Sequence, residues 1–143
     1  MIFYKSKTTT NPIHIETGTH PCFMTDWQQI FTVCLTQHPA TSIIHETVYE
    51  NRFGFTSTLN EMGAKIVTTN ECLGTKKCRY NNTGSIHSAK IEGITPLKAQ
   101  NISIPDLRAG FSYILAALVA DGESTIKNLH FLDRGYENIQ QQL

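Results

Sequence analysis

The sequence predicts a mixed α/β domain, α+β in detail, assembled from repeated helix–strand units. Three observations predict it. Leu107, Phe111, Ile114, Leu115, Leu118 and Val119 recur at the spacing of one helix face. Short β-prone runs, such as residues 41–47, 64–68 and 85–92, alternate with helical stretches and turn signals. The helix–strand pattern also occurs twice, with Asp26, Phe31, Leu35 and Ile44 matching Asp106, Phe111, Leu115 and Ile126.

The elements follow in order. Residues 2–4 and 12–15 read as short extended runs separated by Thr/Asn turn chemistry. Thr25-Asp26-Trp27-Gln28 has the form of a capping box, with Gln three residues after Thr. A helix to about residue 36 should bury Trp27, Ile30, Phe31, Cys34 and Leu35, and Pro39 stops it. Asn51-Arg52-Phe53-Gly54 is a turn, and a second helix spans residues 57–62 with Gly63 as its C-terminal glycine. Residues 72–84 read as loop. Asp106 is the N-cap of the long helix, which Asp121-Gly122 ends. Residues 124–129 form a strand, Asp133-Arg134-Gly135 a turn, and Tyr136 opens a last helix. Asn51-Arg52 matches Asp133-Arg134 in the repeat, after which the register drifts. That last helix carries no stop signal, which points to a chain ending inside a domain; a frayed terminal helix is the other reading.

Composition narrows the function classes. The chain has 143 residues, the prior for one domain. Lys+Arg and Asp+Glu are 12 each, so the formal net charge is zero; charged residues are 17% and apolar residues 40%. This balance argues against nucleic-acid binding, which needs a basic footprint, and against disorder. No apolar run has the length of a membrane helix and no secretory leader opens the chain, which points to the cytoplasm. In that setting Cys22, Cys34, Cys72 and Cys78 read as free thiols, with Cys34 a small core residue. Cys72 and Cys78 enclose five residues, longer than the usual zinc knuckle, and the six histidines form no close pair, so no metal ligand is assigned.

Arg108 is the most informative residue. It lies in the first turn of a helix, where the macrodipole disfavours a cation. It fits there if helix end and guanidinium face an anion together; a simple pair with Asp106, or an exposed face, fits too. Arg52 and Arg134 each follow a strand and an Asx residue at a turn, a place for cleft residues or for solvated surface arginines. As a first-turn acid Asp26 is favoured by the helix dipole, which alone explains it; the functional alternative is a carboxylate aimed at a substrate hydroxyl as base.

Several strings carry a resemblance. Thr17-Gly18-Thr19-His20-Pro21, Thr25-Asp26-Trp27-Gln28-Gln29, His45-Glu46-Thr47-Val48-Tyr49-Glu50-Asn51-Arg52-Phe53, Pro105-Asp106-Leu107-Arg108-Ala109-Gly110 and Asp133-Arg134-Gly135-Tyr136-Glu137 resemble the UDP-N-acetylglucosamine 1-carboxyvinyltransferases. The resemblance runs from about residue 13 to residue 143. The sister enzymes acting on shikimate 3-phosphate share the fold without those strings.

The resemblance implies an inside-out α/β barrel built from repeats, with helices buried and sheets outside. It implies that residues 1–143 are an incomplete C-terminal enolpyruvyl transferase domain, with units of about 19–95 and 96–143. The implied reaction is transfer of enolpyruvate from phosphoenolpyruvate to the 3-hydroxyl of UDP-N-acetylglucosamine, releasing phosphate. This is the first committed step of peptidoglycan synthesis and needs no cofactor. Asp26 matches the proposed base that binds the sugar hydroxyl. Val48 matches a residue whose backbone holds the sugar nucleotide. Arg52, Asp106, Arg108 and Arg134 match cleft residues, Arg134 on the phosphoenolpyruvate phosphate. None of the four cysteines matches the family's proton-donating cysteine, which sits on a loop of the other domain. The chain alone is therefore expected to be inactive, with an N-terminal catalytic domain as its missing partner. A related transferase with another acceptor, or a non-catalytic sugar-nucleotide-binding remnant, is the alternative.

Overall fold

The computed structural model describes residues 10–75, 78–133, 135, 136 and 139. Two β–α–β passages organise it. In the first, β1 (His14–Glu16) leads through α1 (Thr25–Thr36) to β2 (Ser42–His45), and β1 and β2 pair in parallel. In the second, β5 (Asn101–Ser103) leads through α3 (Leu107–Val119) to β6 (Thr125–Lys127), again in parallel. A parallel pair needs a crossover, and each helix supplies one. The matched Ile44 and Ile126 both sit mid-strand, opposite Ile15 and Ile102.

Between the passages lie α2 (Thr56–Glu61), β3 (Lys65–Thr69) and β4 (Ser88–Glu92). β4 pairs antiparallel with both β2 and β3, giving a sheet of order β1-β2-β4-β3. Gly63 follows α2 at φ 107°, the left-handed position that glycine fills without strain. The two halves are stitched where the Lys98 amide donates to the Met62 carbonyl at 2.7 Å, and the Asp121 amide to that of Leu97 at 2.8 Å. Leu35, Ile44, Leu59, Met62, Ile91, Leu97, Ile102, Ile104 and Leu132 fill the core. α1 packs on α3 across it. Among the described residues no helix is long and apolar enough to cross a membrane.

Among the described residues the expected elements occur, most strands shorter than expected, with β5 as an unforeseen strand and two corrections on α1. Met24, not Thr25, is the N-cap, with no side-chain cap bond. The Thr25 hydroxyl donates instead to Glu46 Oε2 at 2.8 Å, so a tertiary carboxylate takes the group a capping box would use. The buried face is also different from the apolar one. Gln28, Thr32, Val33, Leu35 and Thr36 are buried, whereas Trp27 is 51% exposed and Cys34 is exposed, not core. The threonines tolerate burial because their hydroxyls fold back onto helix carbonyls, Thr32 onto Gln28 at 2.8 Å and Thr36 onto Val33 at 2.7 Å. Phe23 packs edge-on against both the exposed Trp27 and the half-buried Phe31, which itself packs against the core.

On α3, Asp106 is the N-cap as expected, accepting from the amides of Arg108 and Ala109 at 2.7 and 3.0 Å. Ile114 is buried, but Leu118 and Val119, at the end of the helix, are exposed. The strand expected over 124–129 stops at Lys127, because Asn128 turns left-handed (φ 64°) into a short 3-10 turn, Leu129–Phe131. The expected extended run at residues 2–4 lies outside the described residues, as does nearly all of the helix expected after Tyr136.

Candidate functional site

The site is built on the ends of β2 and the starts of α1 and α3. β2 ends at His45, and Glu46 follows fully buried. Its carboxylate gathers four donors: the hydroxyls of Thr17 and Thr25 at 2.9 and 2.8 Å, and the amides of Val48 and Tyr49 at 2.7 and 3.1 Å. One acid thereby ties the end of β1, the first residue of α1 and the segment after β2 together. Val48 is held from both sides, since its carbonyl accepts from Arg79 Nη2 at 2.6 Å. The chain then turns at Asn51 (φ 53°), whose side-chain oxygen accepts from the Ile86 amide at 3.0 Å.

This turn aims Arg52 at α1. Arg52 Nη2 donates to Asp26 Oδ1 at 2.6 Å, and its guanidinium lies 4.8 Å from the Tyr49 ring centroid. Only 9% of the Arg52 side chain is exposed, against 66% for Asp26. Arg108 reaches the same oxygen from α3, with Nε 3.3 Å from Asp26 Oδ1. Its side chain therefore spans to a carboxylate 82 positions away, while Asp106 two residues back takes only the Arg108 backbone amide.

Asp26, Arg52 and Arg108 are thus one cluster. Two cavities meet at it. A cleft of about 680 Å³ is lined by Tyr49, Glu50, Arg52, Asp106, Arg108 and Tyr113, among others. A second, of about 390 Å³, is lined by Asp26, Ile30, Leu107, Arg108, Gly135 and Tyr136. Val48 directly precedes Tyr49, which lines the first. Arg134 lies outside the described residues; its neighbours Gly135 and Tyr136 line the second cavity, with Tyr136 stacked on Phe111 of α3. Burial pushes the Tyr113 phenol above its ordinary pKa, with its bond to Thr58 opposing and Asp106 and Glu61 adding to the rise.

Arg52 and Arg108 line the open cleft together with Glu50 and Asp106, so anion-holding and hydroxyl-accepting groups stand side by side. The cleft is open, and polar, charged and aromatic groups line it. Sequence reading passed over Glu46. The available signal was its place in the string after a buried strand, where an acid is costly unless donors surround it.

The fold is a mixed α/β domain, and this cluster sets two arginines and an acid at the edge of an open cleft. The family model for EPSP synthase (3-phosphoshikimate 1-carboxyvinyltransferase) matches residues 1–143, and the chain belongs to that family. It is 60% identical over 126 residues to UDP-N-acetylglucosamine 1-carboxyvinyltransferase of Protochlamydia amoebophila, covering 88% of this chain and 27% of the relative. The enzyme of the same name from Chlamydia abortus is 51% identical over 137 residues, 95% of this chain and 31% of the relative. The chain therefore spans about a third or less of the length of these relatives. Among solved structures, the enolpyruvyl transferase NikO from Streptomyces tendae superposes with TM-score 0.76 at 24% identity, over 96% of this chain and 28% of that one.

Proposed function

We propose that this chain forms one wall of a UDP-N-acetylglucosamine 1-carboxyvinyltransferase site. The sugar 3-oxygen loses its proton and bonds to the central carbon of phosphoenolpyruvate, whose methylene gains a proton. The resulting tetrahedral adduct then loses a methyl proton and expels phosphate, leaving the enolpyruvyl ether. Asp26 holds the sugar hydroxyl and takes its proton. Arg52, Arg108 and Arg134 hold the anionic groups, Arg134 the departing phosphate; Asp106 fixes the α3 start, and the Val48 backbone receives the sugar nucleotide. The opposite wall belongs to a second, N-terminal domain that closes over the cleft, excludes water and brings the acid for the methylene carbon. The two repeat units, about 19–95 and 96–143, are parts of an inside-out barrel completed by further units. The reaction takes place in the cytoplasm and needs no cofactor.

The observation that carries this reading is the Asp26–Arg52–Arg108 cluster, assembled from three separate elements at the junction of two cavities. The identity to enzymes of that name favours UDP-N-acetylglucosamine over shikimate 3-phosphate as acceptor. A calorimetric titration of the chain with each compound tests it. Saturable binding of UDP-N-acetylglucosamine, weakened in Asp26→Asn, with no response to shikimate 3-phosphate, is expected. Binding of shikimate 3-phosphate alone, or steady phosphate release by the isolated chain, refutes it.

A further inference from the structure

Away from the residues that line the cleft, four side chains converge where β2, β4 and the β3–β4 connection meet. His45 ends β2, His87 directly precedes β4, and Cys72 and Cys78 lie in the segment joining β3 to β4. One donor atom from each lies within 4.8 Å of all the others. We propose that His45, Cys72, Cys78 and His87 form a structural zinc site.

The hydrogen bonds around the cluster set its chemistry. The Ser88 hydroxyl donates its single proton to the Glu71 carbonyl at 2.7 Å, so it accepts at 2.8 Å from His45 Nδ1. His87 Nδ1 lies 2.7 Å from the Ser85 carbonyl, which can only accept. Both rings therefore carry their proton on Nδ1 and leave Nε2 as a bare lone pair, the arrangement that outer partners impose on metal-ligating histidines. His87 Nε2 sits 3.2 Å from Cys72 Sγ. Nε2 of His45, whose side chain is fully buried, has no hydrogen-bond partner among the described residues. A buried, unpaired acceptor is costly, and a cation between two thiols removes that cost.

Two imidazoles and two thiolates favour tetrahedral zinc among the common divalent ions, and four protein ligands leave no open position for catalysis. In such a site neighbouring ligand atoms stand roughly 3.3–3.8 Å apart, so binding needs no pair in the cluster to close by more than about 1.5 Å. Gly74 allows the connecting segment to pass over the site: a β-carbon there would come within 2.3 Å of the His45 ring. Sequence spacing undervalued this centre because the two histidines arrive from strands on either side of the cysteines.

The ion staples the β3–β4 connection to β2 and β4. Arg79, one residue past Cys78, holds the Val48 carbonyl, so the staple also steadies the back of the cleft. The proposal stands on the cluster and not on the transferase reading.

The 143-residue chain, expressed with zinc supplied and purified under reducing, chelator-free conditions, is expected to hold about one equivalent by elemental analysis. Cys72→Ser and Cys78→Ser are expected to fall below about a tenth of that, while Cys22→Ser and Cys34→Ser keep it. Two measurements on the unmodified chain need no variant. Cobalt replacement should give the intense visible bands of a tetrahedral ion with thiolate charge transfer. Iodoacetamide should label only Cys22 and Cys34 until a chelator is added, and then all four. A folded chain without metal, an octahedral cobalt spectrum, a Cys72–Cys78 disulfide in place of the ion, or labelling of all four cysteines before chelation overturns the proposal.

Discussion

Removing the Glu46 carboxylate should loosen the whole floor of the cleft, and the size of the effect follows from its four hydrogen bonds. In Glu46→Ala the amides of Val48 and Tyr49 lose their acceptor, at about 1–2 kcal/mol each, and the hydroxyls of Thr17 and Thr25 lose bonds of about 0.5 kcal/mol each after turning to other partners. The total is about 3–5 kcal/mol, a large share of the roughly 5–15 kcal/mol that holds a domain folded. Glu46→Gln keeps the oxygen that takes three of the four bonds and should cost only about 1–2 kcal/mol. For a chain of this length that corresponds to a drop of roughly 10–15 °C for Ala and about 3–6 °C for Gln. Urea denaturation followed by far-ultraviolet circular dichroism measures both. If Glu46→Ala loses less than about 1 kcal/mol, or if Gln is as damaging as Ala, the carboxylate is not the tie described here.

Further outcomes are expected. Asp106→Ala removes the α3 cap and should cost about 1 kcal/mol in the same assay, with Asp106→Asn nearly neutral. Gly93→Ala would set a methyl group 1.9 Å from the His38 backbone carbonyl, and should cost about 3 kcal/mol or more or prevent folding, read as lost soluble yield. Because burial raises the Tyr113 pKa in the folded state, the unfolded chain releases that proton first. Stability should therefore be intact below about pH 10 and decline as pH rises above it, and Tyr113→Phe should flatten that decline in denaturation curves taken across the alkaline range. Arg108→Ala should weaken UDP-N-acetylglucosamine binding about tenfold in calorimetry and leave the melting temperature within about 2 °C, since its side chain is largely exposed.

Much of this architecture was legible from residue pattern alone. Asp106 announced the α3 start because an N-cap acid acts on amides two and three residues away, a purely local matter. Gly63 announced the α2 end for the same reason. α1 was misread because its buried face was chosen by α3 and the sheet: Thr32 and Thr36 satisfy their own hydroxyls and enter the core, while Trp27 stays outside. The destination of Arg108 was not legible either. Local spacing offered Asp106, two residues away, and only the packing of α1 on α3 brings Asp26 within reach. His45 and His87 are the same case, unremarkable until two strands place them beside the cysteines.

Trp27 gives the chain a practical property. It is the sole tryptophan, half in water, beside Phe23 and one peptide bond from Asp26. Its indole emission therefore reports from the cluster itself, against no background from other indoles. Any anion or sugar nucleotide that settles on the arginines can be followed optically, without a label, and the same signal registers whether a second polypeptide comes down over that stripe.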